Sequence, residues 1–276
     1  MRKILLTSVG VAALAVSANA TDFTLSGTAK VKVLDDGNTS VDVSTAIGVS
    51  KTFDNGMVLS LSNNNMANAG ELTIKSDAIS VTFGDIDQNE KAPGLNGNAA
   101  AADISGDGVS NASDSDGAIS LGATIAGVGI GAAMNNAGDT LLGGSFTTDL
   151  SGMSVTIGGD VYSDNTSSLD QTAMGVKATM GPLVAVVHSV QNEAVGGVDK
   201  DVTSYSAAYT TGGLVIGFQG NDDDASSYSA TYTIVPGMQF ELGSLDNGTT
   251  STSSAELQMT FSVSYTHLTQ PTNREV

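Results

Sequence analysis

The sequence predicts an all-β chain, a 16-stranded antiparallel transmembrane β-barrel, on three observations. Short segments alternate residue by residue between apolar and polar side chains, the period of a strand with one greasy and one wet face. The connections between them alternate between tight and long, as they do when one rim of a barrel faces the periplasm and the other the exterior. The N-terminus, basic and then apolar, has the make-up of an export signal.

Taken in order, Met1-Arg2-Lys3 opens a basic stretch, Val9 to Val16 is apolar, and Ala18-Asn19-Ala20 supplies an A-x-A cleavage site. Residues 1–20 are therefore expected to be a signal peptide and Thr21 the first mature residue. The apolar core is shorter than the ~20 residues that cross a bilayer as a helix, and no later stretch is long and apolar enough to do so. With no cysteine, disulfides play no part in the fold, and 33 glycines among abundant Ser, Thr, Asn and Asp suit many short strands joined by polar turns.

The first strand places Phe23, Leu25, Gly27, Ala29, Val31 and Val33 on one face and Thr24, Ser26, Thr28, Lys30 and Lys32 on the other. Val41 to Val49 repeats the pattern against Asp42 and Ser44. Segments around Leu59, Leu72, Val81, Leu121, Ile130, Leu142, Ile157 and Val176 follow. Leu183 to Val190 is an eleventh, of ambiguous facing, before those around Ala207, Ile216, Ala230, Phe240 and Leu257 complete sixteen. An even number of such segments is the barrel signature.

The odd connections are the longer ones: 35–40, 63–70, 84–117, 135–140, 163–171, 191–201, 220–226 and 244–253. The even ones are tight and rich in turn formers, among them Ala126-Gly127, Gly181-Pro182 and Gly212-Gly213. A soluble sandwich has no reason to keep that parity. After Ser262 the alternation fails, and Val263-Ser264-Tyr265-Thr266-His267-Leu268 resembles the translation of a transposon end used in sequencing libraries. The barrel domain is accordingly expected over 21–262, and 263–276 is expected to be a non-native tail, an assembly artefact.

With 29 acidic against 10 basic residues, the net charge of −19 argues against nucleic-acid binding and fits solvated loops and cation handling. Catalysis finds no support. His188 is the only histidine before the tail, too few for a metal cluster, and a triad would have to be built around it alone. Glycine runs such as Gly127 to Gly131 lack a following helix and read as strand spacing rather than a phosphate loop.

From Thr21 to Ser262 the chain resembles a general Gram-negative porin of the small alphaproteobacterial type, on its signal peptide, sixteen strands, loop parity and dominant third outer loop. The resemblance implies that this third loop folds into the lumen and narrows it. It also implies an outer-membrane location, a homotrimer, an aromatic closing the last strand, where Phe261 has the right facing, and passive diffusion of small hydrophilic solutes and ions. The absence of tryptophan departs from the aromatic girdles usual in that family.

Parity places Lys30, Lys32, Asp42, Lys75 and Lys177 in the lumen, and the third loop carries Asp85, Asp87, Glu90 and Lys91. A cationic wall facing an acidic loop would set a transverse field and select ions. Within the loop, Asp103, Ser105, Asp107, Asn111 and Asp114 match the first, third, fifth, ninth and twelfth positions of a calcium loop, with Gly108 at its sharp turn. Asp replaces Glu at the last position and no helical pattern flanks it. Calcium is the one cofactor suggested. A secreted, calcium-stabilised β-rich adhesin or surface-layer protein is the alternative that acidity and composition allow, and loop parity favours the pore.

Overall fold

In a computed structural model, the structure describes residues 22–34, 39–63, 70–84, 90–95, 118–163, 165, 169–194 and 200–266. These form sixteen strands: β1 (Asp22–Leu34), β2 (Thr39–Thr52), β3 (Val58–Asn63), β4 (Glu71–Lys75), β5 (Ile79–Gly84), β6 (Ala118–Ile125), β7 (Val128–Met134) and β8 (Thr140–Leu150). They continue as β9 (Met153–Ser163), β10 (Leu169–Met180), β11 (Leu183–Ala194), β12 (Lys200–Thr211), β13 (Leu214–Asn221), β14 (Ser226–Val235), β15 (Met238–Asp246) and β16 (Ser251–Thr266). Each pairs antiparallel with its neighbours in sequence, and β1 pairs with β16 to close a barrel. All 13 residues of β1 find partners on β16, from Asp22↔Thr266 to Leu34↔Ser254.

The strand at the seam runs four residues past the expected end at Ser262. Val263 to Thr266 pair with Leu25 to Asp22. The apolar period of two set by Met259 and Phe261 in fact continues through Val263 and Tyr265, and the backbone ladder continues with it.

Side-chain facing is inverted relative to a water-soluble protein. Ile130, Leu142, Met174, Ile216 and Leu242 are exposed on the outside, whereas Asp160, Gln171, Ser204, Gln219, Ser227 and Glu241 are buried facing in. That is the facing expected of a barrel with an apolar belt outside and a polar lumen, its described strands paired to both neighbours. For β11 the facing is now settled. Val186, His188 and Val190 point inward and Val187 outward.

The turns follow the expected parity. Ala126-Gly127, Ser151-Gly152 and Gly212-Gly213 each carry two successive positive φ angles, the requirement of a two-residue type I′ hairpin whose twist matches its strands. At the same rim Gly127 O, Gly213 O and Gly237 O accept from Thr147, Thr233 and Thr260, so the ladder runs to its last residue. At the opposite rim an asparagine opens three of the connections. Asn135, Asn221 and Asn247 each accept backbone N–H groups through Oδ1, closing Asx turns.

Aromatic rings lie over glycines on the outer wall. Phe261 covers Gly27 and Tyr205 covers Gly220, and Tyr205, Phe218 and Tyr228 form a tilted stack with centroids 5.8 and 5.0 Å apart. A side chain at 27 would collide with the Phe261 ring. Gly27→Leu should therefore cost about 1–3 kcal/mol through overpacking. The cost is measurable as a lower urea midpoint for the folded, fast-migrating form on gels, and an unchanged midpoint would refute this account of the seam.

Candidate functional site: a pinned segment facing a charged wall

Four buried, inward-facing glycines occur on consecutive strands: Gly129 on β7, Gly143 on β8, Gly158 on β9 and Gly175 on β10. Three of them share one rung of the ladder, which reads Gly129, Ser145, Gly158, Gly175, His188, Ser204 across β7 to β12. Residues 90–95, the described part of the third outer connection, lie against this lane. A Cβ at 158 would overlap the Lys91 carbonyl, and one at 175 would come within 2.5 Å of Pro93 O. Without side chains at these places, backbone meets backbone.

The segment is held by two inner-wall side chains. Asp160 accepts hydrogen bonds from Lys91 N at 2.8 and 2.9 Å and from Ala92 N at 2.6 Å. His188 Nδ1 lies 3.0 Å from Pro93 O, and since a carbonyl only accepts, Nδ1 carries the proton. Nε2 is buried without a hydrogen-bond partner among the described residues. Ala92 completes a small apolar core inside the barrel with Ala133, Leu141, Tyr162, Ala173 and Val190. Lys91, half-buried beside the same wall, has its ammonium held below the ordinary lysine range by burial, with Asp160 acting in the opposite sense.

The wall near the seam is charged. Two rungs cross β2, β1, β16 and β15: Asp42, Lys30, Gln258, Gln239, and next to it Ser40, Lys32, Glu256, Glu241. Lys30 Nζ is 3.3 Å from Glu256 Oε1, and Gln239 Nε2 donates to Glu241 Oε1. Glu241 Oε2 has no hydrogen-bond partner. In the ring of sixteen strands β9 and β16 are seven apart, so the pinned segment and this patch lie on nearly opposite sides of the lumen.

The expected lysine row is thus divided. Lys30, Lys32 and Asp42 come together at the seam, interleaved with carboxylates rather than forming a purely cationic wall. Lys177, two residues beyond Gly175 on β10, is on the wall that carries the segment. Lys75, at the end of β4, is on the flank between. Glu90 belongs to the pinned segment, while Asp85, Asp87 and the calcium spacing at Asp103, Ser105, Asp107, Asn111 and Asp114 fall outside the described residues.

Sequence reading missed Asp160, Glu241 and Glu256 as site residues, although parity places all three inward. It also treated the inner wall as uniformly polar, and so overlooked Leu141, Tyr162 and Val190 as a seat for Ala92.

Because the chain has no cysteine, Ala92→Cys introduces a unique thiol at this seat. Adding Asp160→Ala removes the acceptor for two backbone N–H groups, which at about 1.5–3 kcal/mol per charged hydrogen bond should speed maleimide labelling of that thiol at least ~10-fold. Equal labelling rates with and without Asp160 would show that the carboxylate does not hold the segment.

No protein-family model matches the sequence, and no curated protein is significantly similar to it. Solved structures do resemble it. A triple mutant of the Rhodopseudomonas blastica porin superposes with a TM-score of 0.65 at 12% identity, covering 87% of this chain and 100% of its own. A single-tryptophan variant of the Rh. blastica porin gives 0.64 at 11%, and a structure described under the asymmetric conductivity of engineered proteins gives 0.64 at 12%, both with the same coverage of 87% and 100%. At such identities the likeness is one of fold, and the chain adopts the sixteen-stranded barrel of the bacterial porins.

Proposed function

We propose that this chain is an outer-membrane porin, a water-filled channel for passive diffusion of small hydrophilic solutes and ions. The observation that carries the reading is the closed barrel whose outer face is apolar and whose inner face is polar and charged. A soluble adhesin has no use for an apolar belt around a closed barrel, which favours the pore over that alternative. His188 supports the same reading, since its Nδ1 is engaged in holding a segment rather than poised beside a nucleophile. Residues 1–20 fit the role as an export signal.

A homotrimer fits the uneven height of the wall. Strands β3, β4 and β5 have 6, 5 and 6 residues. At about 3.4 Å per residue and a tilt near 45°, such strands rise only ~12–15 Å, against an apolar band about 25 Å tall. Packing that side against other copies of the chain removes the mismatch with lipid. The interleaved charges at the seam and the pinned segment across from them would supply the transverse field that orients and sorts ions.

In planar bilayers the refolded protein should give stepwise, ohmic conductance. Neutralising Lys30, Lys32 and Lys75 together to glutamine should raise cation over anion permeability by roughly threefold, the effect of about 0.6 kcal/mol from screened lumen charges. Unchanged conductance and selectivity in the triple variant would end the selectivity proposal, and absence of any conductance would end the pore. For the calcium spacing, titration calorimetry should show saturable calcium binding at up to about millimolar concentration, lost on Asp103→Asn with Asp107→Asn. No heat in the parent protein would dispose of that site.

A further inference from the structure

We propose that Lys75 and Lys91 form a binding site for a small oxyanion inside the barrel, near the rim of the short turns. The two lysines line one cavity of about 260 Å³ together with Ser76, Ser80, Gly122 and Thr124. That is below the roughly 300–1,000 Å³ of pockets for drug-sized ligands, and suits a phosphate or a short carboxylate.

Lys91 is delivered to this place by the glycine lane. A Cβ added at Gly143 would lie 3.1 Å from Lys91 Cβ, and one at Gly129 would lie 3.8 Å from Lys91 Cδ. The stem therefore runs flat over β8 and β7 toward β6, where the buried Gly122 again leaves room. Its neighbours in the lining come from the end of β4, the following turn and the ends of β5 and β6.

Lys75 and Lys91 line the cavity with the hydroxyl-bearing Ser80 and Thr124, and Asp77 of the turn is the carboxylate of the lining, while Asp160 acts on Lys91 from the wall. Ser76 is occupied by its own turn, its hydroxyl exchanging hydrogen bonds with Ile79. An oxyanion in this cavity gains charge-assisted hydrogen bonds from two lysines at once, the stronger class of such contacts. The low position of the Lys91 ammonium on the pKa scale has burial as its main cause, in keeping with a site partly withdrawn from water.

The inference builds on the pore reading, in which the site borders the solute path and names oxyanions as the favoured solutes, but its test does not depend on conductance. The full chain, refolded in detergent, is treated with an amine-acylating reagent with and without inorganic phosphate at constant ionic strength, and each lysine is read by mass spectrometry. Phosphate should slow acylation of Lys75 and Lys91 by about tenfold, as expected of charge-assisted contacts, while Lys51 on the outer face keeps its rate.

Lys91→Met, which keeps the stem over the glycines, should abolish protection of Lys75. Absence of protection, protection of Lys51 to the same degree, or persistence at Lys75 in Lys91→Met would each overturn the site. In bilayers, phosphate should reduce chloride current through the parent protein and not through Lys91→Met. A barrel that conducts nothing yet shows the protection would refute the pore and leave the oxyanion site standing.

Discussion

Closure of β1 onto β16 is the constraint from which the rest of the molecule follows. A sheet standing in hydrocarbon cannot leave an edge, because an unpaired N–H or C=O there costs several kcal/mol with no water to take its place. The seam is accordingly paired along the full length of β1, up to Thr266 on β16. Once the ring is closed, one face of every strand must turn outward and the other must meet the lumen. The facing of each side chain is then no longer a local matter.

The same closure gives the third outer connection something to fold against. The segment around Lys91 and Pro93 sits on four strands that have given up side chains on two neighbouring rungs, so it approaches backbone to backbone at Gly158 and Gly175. Asp160 then satisfies two amides that a chain crossing the wall at right angles could not pair in a ladder, and Ala92 enters a small apolar core. Glycine lane, carboxylate and apolar seat are three devices on the same run of strands, β7 to β11, that specify one position for one short stretch. Together they turn a wall that would otherwise line an empty bore into a support.

Electrostatically the lumen is better described as interleaved than as divided between signs. Lys30 and Lys32 have Glu256 and Glu241 as neighbours on the same two rungs, and the contact of the half-exposed Lys30 with the buried Glu256 partly cancels the charge each presents to the lumen. Lys75 and Lys91, on a different arc of the ring, are accompanied by a single carboxylate in their cavity.

By itself the sequence determined the class of fold, the number of strands, the parity of the connections and the inward facing of Lys30, Lys32, Asp42, Lys75 and Lys177, because a period of two is written directly in the order of residues. It did not determine facing where both sides of a strand are apolar, as in β11, nor where the last strand ends. Only the tertiary structure decided that Gly129, Gly158 and Gly175 share a rung, that Asp160 faces the amides of Lys91 and Ala92, and that Lys91 and Lys75 line one cavity. These are matters of register between strands far apart in the chain, and register is set by the closing of the whole ring, which no single segment encodes.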